Sequence, residues 1–489
     1  MESVEQIDPT ETAAIEIVKR RVIKGVGILT ARSVVIQAIA FFANALLTVF
    51  LDPSEYGVYF IVSALINFLA YFGDIGFAAA LIQKKEKLTQ QELKTIFTAQ
   101  QILVLSIFII VLITTPFIKS TYNLDQKGIY LLWAVAFSLL FSSLKTIPNV
   151  LLERKLEFDK WIIPQLVETL IFNISVVFLA WKGFGVTSFT IGILLRDITG
   201  LLITYLIQPW LPGIAFSLNS FKAILKYGVS YQANALLAMI KDDGMTLLLG
   251  GILGQSGVGL LGWAQKWAYA PLRFFMDQVI KVTFPAFSKL QDNKAELSRA
   301  VSRSILFISV LVFPSLVILV LVAPSLIEII PKYYKWSPAL MALTLISITS
   351  AFAAVTTPLT NTLNAVGKIS ITFKLMVMWT VLTWMLVPLL SIIYGLNGAA
   401  FGFALVGISS LIAIFICSKY LAVNYFENVV KPLIAALIMG IILCFIKIIL
   451  TVSLLQIIVM IVAGLISYAA ILVIIEPRLI NMTKSLFKK

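Results

Sequence analysis

Histidine is missing from the 489 residues, cysteine occurs twice, and charged side chains make up only 13% of the chain. The first absence excludes Ser-His-Asp and Cys-His catalysis and any histidine metal site. The two cysteines, Cys417 and Cys444, fall in or beside apolar runs, where a thiol packs as a small apolar group, so neither a disulfide frame nor a bound metal is expected. A soluble globular chain carries about a quarter of charged residues, so the scarcity of charge excludes that class. No Gly-rich phosphate loop appears, which argues against ATP hydrolysis by this chain, and no cofactor is expected. The longest connection on the cation-poor side, around "APSLIEIIPKYYKWSP", is too short to carry the large external loop of a membrane sugar polymerase or ligase.

Hydrophobic residues fill 60% of the positions. Apolar windows able to cross a hydrocarbon core of about 30 Å predict an all-α polytopic membrane protein with fourteen transmembrane helices. Those compared with the structure below are 58–80, 227–253, 258–280, 370–394 and 398–417. Lys and Arg set the orientation: 26 of them fall in the N-terminus, every second loop and the C-terminus, and six (Lys119, Lys127, Lys182, Lys332, Lys335, Lys447) in the remaining loops. By the positive-inside rule both termini are expected in the cytoplasm, in a multi-pass protein of the cell membrane. The formal charge of +14 is therefore spread over short loops facing one leaflet, and a nucleic-acid partner is not expected. The tail 1–26 has no signal-peptide pattern and is expected to stay attached, either as a helix on the inner leaflet or as a loose segment whose cations set topology.

An internal repeat organises the spans. "LDPSEYG", Leu51 to Gly57, and "LGQSGVG", Leu253 to Gly259, share Leu, Ser and Gly at a shift of 202 residues. Each turn lies between two apolar spans, and a polar segment of similar texture follows each pair. The expected domains are the tail 1–26, an N-lobe of six helices at 27–217, a C-lobe of six at 218–423, and two further helices with the C-terminus at 424–489. Parallel six-helix repeats are a transporter architecture with substrate held between the lobes.

Charges inside spans concentrate on the repeat-equivalent hairpins: Arg32, Asp74, Lys241, Asp242, Asp243, Lys266, Arg273 and Asp277. Each costs roughly 2.5 to 3.5 kcal/mol at a helix centre, so they are expected to face protein or water. Lys266, Arg273, Asp277 and Lys281 share one helical stripe, and Gln37, Asn44, Asn67 and Asn234 extend polar faces on neighbouring helices. Two readings stand side by side. The groups line a hydrated substrate path, or Arg273 with Asp277, and Lys241 with an acid from a neighbouring helix, neutralise each other as structural pairs. Arg32 and Lys374 are placed to snorkel, and Glu168, Arg196 and Asp197 to form internal pairs or a coupling-ion site.

In "EYGVYFIVSALINFLAYFGDIGFAAALIQKKEKLT", "PNVLLERKLEFDKW", "KYGVSYQANAL" and "GLLGWAQKWAYAPLRFFMDQVIKVTFPAFSKLQ" the chain resembles the Wzx-type flippases of lipid-linked oligosaccharides. These belong to the multidrug/oligosaccharidyl-lipid/polysaccharide (MOP) exporter superfamily, and the resemblance, over residues 25–425, is to its colanic-acid and teichuronic-acid export branch. It implies a MATE-like fold of two six-helix lobes around a central cavity, and movement of a polyprenyl-diphosphate-linked glycan across the membrane by alternating access. "KDDGMTLLLG" departs from the single Asp usual at the entry to the second lobe, and "WKGFGVTSFTIG" replaces a tryptophan-rich entry to helix six.

A diphosphate cannot cross hydrocarbon unassisted, so a carrier needs cations for the head group and an opening to lipid for the tail. Lys241, Lys266, Arg273 and Arg32 are the candidate diphosphate ligands, and Gln37, Asn44, Asn67 and Asn234 the candidate sugar ligands. Asp74, Asp197, Asp242, Asp243 and Asp277 are candidate ion-coupling carboxylates for H+ or Na+. Membrane lipid, and polymerase or glycosyltransferase proteins, are the expected further partners. The competing readings are a MATE-like exporter of cationic small molecules and, in a different class, a membrane glycosyltransferase or polymerase, which the short external loops disfavour.

Overall fold

The computed structural model describes residues 9–74, 76–84, 86, 88–218 and 236–476, with side chains from Gly27 onward except Val282. All regular elements among them are helical, because in hydrocarbon each backbone N–H and C=O must be satisfied within its own segment. Among the described residues, twelve helical runs are long and apolar enough to span a membrane. The first belongs to α1 (Pro9–Phe50), so 9–26 is helical and continuous with the first span. There follow α2 (Pro53–Gly73), α3 (Phe77–Gln83), α4 (Gln90–Tyr122), α5 (Gln126–Arg154), α6 (Phe158–Trp181) and α7 (Thr187–Ile207). The remainder comprises α8 (Met245–Lys289), α9 (Lys294–Ile329), α10 (Leu340–Ala365), α11 (Ile369–Ile408), α12 (Ser410–Ser418), α13 (Lys431–Ile449) and α14 (Leu454–Ile475).

Local signals place several helix starts. Thr89 and Glu92 form a reciprocal capping box at α4: the Glu92 amide donates to Thr89 Oγ1 at 3.2 Å, and the Thr89 amide to Glu92 Oε2 at 3.0 Å. Asp125 accepts from the Gly128 amide at α5, Asn293 from Glu296 at α9, and Ser453 from Gln456 at α14.

One expected boundary is corrected. The second span stops at Gly73 rather than near residue 80, because Asp74 turns its carboxylate onto the Phe77 amide at 3.0 Å and starts α3. The spans expected at 227–253 and 258–280, and at 370–394 and 398–417, follow one another without a loop: in each case two helices meet at a kink with positive φ, at Gly254 (68°) and Gly395 (60°). Residues 227–235, expected in the seventh span, lie outside the described residues.

The chain divides into two compact units. Unit 1 holds α1 up to Leu47, α2 from Ile66, and α3 to α7. Its core joins Phe77 and Leu81 of α3 to Leu93 and Ile96 of α4, Ile147 of α5, and Trp210. Arg154 clasps this core by donating to the carbonyls of Leu81 (2.5 Å), Lys84 (2.7 Å) and Glu86 (2.9 Å), which satisfies the C-terminal end of α3.

Unit 2 holds Thr48–Leu65, Thr121–Asn123 and everything from Leu237. Its core is built on α9, where Val301, Ile305, Ile308 and Val312 meet Leu359 and Leu363 of α10, Met439 and Leu443 of α13, and Met460 and Leu472 of α14. Cys417 is buried in this core, whereas Cys444 is exposed on α13. At one end of the unit the two repeated turns touch. A Cβ on Gly57 would lie 1.7 Å from the Gln255 carbonyl oxygen, and one on Gly259 would lie 1.7 Å from that of Pro53. The two contacts exchange partners under the 202-residue shift, the signature of a pseudo-twofold, self-complementary interface.

Candidate functional site

In unit 2, the packing begins with Trp336, which is fully buried, stacks on Trp263 at 5.4 Å between centroids and meets Tyr56 edge-on at 5.4 Å. Both indoles are anchored on Thr48: Trp336 Nε1 donates to its carbonyl at 2.8 Å and Trp263 Nε1 to its hydroxyl at 3.2 Å. Gln255 Nε2 bonds the Tyr122 and Asn123 carbonyls, and Lys335 Nζ bonds Asp52 at 3.2 Å. Four segments expected in cation-poor loops or beside them are thus tied together at one end.

One helical turn beyond Trp263, Lys266 is accessible and holds its ammonium 5.8 Å from the ring centroids of both Tyr56 and Phe60. Cation–π contact of this kind favours a cation by about 0.5–2 kcal/mol. Arg273 is accessible two turns along the same face and within electrostatic reach of Lys266. Tyr269 lies within reach of both Arg273 and Asp242. Neither Lys266 nor Arg273 has an ion-pair partner among the described residues. Asp277 is accessible and is not paired with Arg273.

The segment "IKDDG", Ile240 to Gly244, is one π-helical turn in front of α8. Such a turn widens the helix and frees a carbonyl; here Trp384 Nε1 of α11 donates to Ile240 O at 3.2 Å. Lys241 Nζ lies 2.8 Å from Asp242 Oδ1, so this cation is partly neutralised by its neighbour. Asp242 is exposed and Asp243 half-buried.

Unit 1 holds the other candidates. Arg32 is half-buried with its guanidinium 5.7 Å from the Trp161 ring centroid. Asn44 turns its amide back to the Ala40 carbonyl at 2.7 Å, Gln37 is half-buried and Asn67 is exposed. Asp74 caps α3, as described above. Asp197 is buried, with both carboxylate oxygens on Arg196, at 2.9 Å (Nε) and 3.0 Å (Nη2). Asn234 lies outside the described residues.

Two groups escaped the sequence reading. Lys145, counted there as a loop cation, is buried in α5 and pairs with Glu168 of α6 at 2.5 Å; its position deep in an apolar run was the available signal. The Thr48–Trp263–Trp336 cluster joins residues too far apart in the chain for spacing to connect them.

A chain whose described residues form only helices, twelve of them runs apolar enough to span a membrane, belongs among multi-pass membrane proteins, and its fold has known counterparts. The lipid II flippase MurJ in an inward closed conformation superposes with a TM-score of 0.77, covering 93% of this chain and 100% of that one at 16% identity. An inward-facing multidrug resistance MATE transporter of the MOP superfamily gives 0.62, covering 78% and 94% at 15% identity. At such identities the likeness is one of fold. The profile of the polysaccharide biosynthesis protein family matches residues 46–339, more than half of the chain, and the protein belongs to that family. The lipopolysaccharide biosynthesis protein WzxC of Escherichia coli (strain K12) is 23% identical over 413 residues, 82% of each chain. The succinoglycan biosynthesis transport protein ExoT of Rhizobium meliloti (strain 1021) is 21% identical over 325 residues, 66% of this chain and 65% of that one.

Proposed function

We propose that this protein is a flippase that moves a polyprenyl-diphosphate-linked oligosaccharide across the cytoplasmic membrane by alternating access, for cell-surface polysaccharide biosynthesis. The observation that carries this reading is the stripe on α8: Lys266 and Arg273 are accessible on one face, and no carboxylate of the described residues pairs with either. Two cations kept without an internal counter-ion favour an anionic ligand, and a diphosphate offers one with several charge-assisted acceptors. The tyrosine and phenylalanine under Lys266 hold the ammonium in place without cancelling its charge.

From the sequence pattern, Lys241 and Arg32 are also assigned to the diphosphate, and Gln37, Asn44, Asn67 and Asn234 to sugar hydroxyls. Asp74, Asp197, Asp242, Asp243 and Asp277 are the coupling candidates for H+ or Na+; Asp197 bonds Arg196, Asp74 the Phe77 amide and Asp242 the Lys241 ammonium, so a coupling ion would compete with those partners. Treating Gly254 and Gly395 as hairpin turns divides the two longest spans and brings the count to fourteen. The lobes are then 27–217 and 218–423, with 424–489 appended, and the reciprocal packing of the repeated turns supports their equivalence. Both termini lie in the cytoplasm on this reading, and a polymerase or glycosyltransferases work on the same lipid-linked glycan.

The test is flipping of a fluorescent polyprenyl-diphosphate glycan by the pure protein in liposomes. Wild type flips, and Lys266→Ala and Arg273→Ala lose flipping while keeping normal insertion and melting temperature. A wild type that does not flip this lipid but extrudes a cationic dye would replace the reading with cation export, which the MATE likeness and the accessible Asp242 and Asp277 favour as the second choice.

A further inference from the structure

Unit 2 has a cavity of about 770 Å³ at the end of α9 remote from the repeated turns. Four spans start or end at it: the first turns of α9, the last residues of α12, the segment leading into α13, and Glu476 just beyond α14. It therefore sits where spanning helices leave hydrocarbon, at head-group depth. On α9 its wall is one face, with Arg299 and Arg303 at i and i+4 and Ser298 and Ser302 each preceding one of them. Lys294 and Lys419 add two cations, the latter held 4.9 Å over the Phe415 ring. None of these four cations has an ion-pair partner among the described residues. The lining holds two carboxylates, and Lys431 engages one of them, Glu476, at 2.5 Å, so Glu427 is what remains against four positive charges.

Like charges at i and i+4 repel. Two arginines side by side, facing a hollow with further cations, favour the binding of an anion there. The wall is rigid: Ser298 Oγ accepts from the Ala422 amide at 3.1 Å, tying the segment after α12 to α9, and buried Leu297, Val301 and Leu421 lie beneath. Exposed Phe307, Phe415 and Phe426 lie next to the lining in sequence and suit acyl chains. The residues that follow Glu476, with Arg478, Lys484, Lys488 and Lys489, are basic and so do not supply the anion.

We propose that this cavity is a binding site for the phosphate of an anionic phospholipid, separate from the transport stripe on α8. Planar guanidinium pairs suit the bidentate geometry of a phosphate, and basic pockets between span ends on one leaflet are suited to lipid head groups. The proposal does not rest on the flippase reading, because its test reads binding and not transport.

Full-length delipidated protein in a neutral detergent is titrated with phosphatidylglycerol or phosphatidylcholine, bound lipid is counted by native mass spectrometry, and melting temperature is followed in parallel. Wild type is expected to prefer phosphatidylglycerol and to gain melting temperature with it. Arg299→Gln with Arg303→Gln should weaken that binding at least tenfold and remove the gain, with an unchanged melting temperature in phosphatidylcholine. Lys119→Gln with Lys127→Gln, exposed cations elsewhere, should behave as wild type. If the arginine pair does not fold when replaced, Lys294→Gln with Lys419→Gln, on other parts of the lining, takes its place with the same expectation. Equal binding of both lipids by wild type, or wild-type binding by the variants, would overturn the proposal. Glycerol 3-phosphate and inorganic phosphate form the soluble arm: protection by either, equal to that of phosphatidylglycerol and lost in the arginine variant, would assign the site to a soluble phosphate and reject the lipid.

Discussion

Arg196 and Arg273 are both arginines within apolar spans, and their surroundings set them to different tasks. Arg196 places two nitrogens on buried Asp197, so Arg196→Ala leaves a carboxylate unpaired in the interior. Breaking a buried pair costs about 3–5 kcal/mol, and a marked fall in melting temperature is expected, relieved by adding Asp197→Ala. Arg273 is accessible and has no such partner, so Arg273→Ala should leave thermal unfolding unchanged. Its expected loss is in transport: one charge-assisted contact is about 1.5–3 kcal/mol, on the order of tenfold to a hundredfold in binding. If Arg273→Ala with Asp277→Ala recovers flipping in liposomes, the diphosphate role of Arg273 is wrong.

Helix crossings in unit 2 depend on glycines at two sites only backbone can occupy. Alanine at Gly57 or Gly259 would drive a methyl into a facing carbonyl, whereas Gly251 has nothing within 4 Å of a new Cβ. Overpacking typically costs about 1–3 kcal/mol, so Gly57→Ala and Gly259→Ala should each lower the melting temperature. Gly251→Ala should be neutral or stabilising, by up to about 1 kcal/mol from helix propensity. Equal effects at all three positions would remove the turn contact as a feature of the folded protein. Trp336 contributes in another way: Trp336→Phe keeps an aromatic ring but leaves the Thr48 carbonyl without its indole donor, and about 1–3 kcal/mol of lost stability is expected in chemical or thermal unfolding.

The orientation expected for the whole protein from the loop cations is tested by labelling. Single cysteines at Ser54 and Lys332 should react with an impermeant reagent applied outside intact cells, and cysteines at Lys87 and Lys294 should react only after permeabilisation. The reverse pattern would invert the membrane orientation. The structure adds a geometric reason to test these positions together. Within unit 2 the 51–57 turn and the Lys335 segment meet at one end, bridged by Lys335 and Asp52, and Lys294 opens the helix whose start lines the opposite cavity.

The class, an all-helical multi-pass membrane protein, was legible because it is a sum over many residues, a statement about hydrocarbon thickness and the cost of charge in it. The stripe from Lys266 to Asp277 was legible too, since helical period alone puts those positions on one face. Which charges pair was legible only in part. Internal pairs were expected of Arg196, Asp197 and Glu168, but that Lys145 is the partner of Glu168 across a helix contact, and that Arg273 does not bond the acid one turn on, depends on side-chain reach in three dimensions. Nor could spacing show that Asp74 ends a span, that "IKDDG" is a π-turn fastened by Trp384, or that Arg299 and Arg303 face a hollow with Lys419. Each depends on a partner from a distant segment or on the local path of the backbone, and packing, not composition, brings those together.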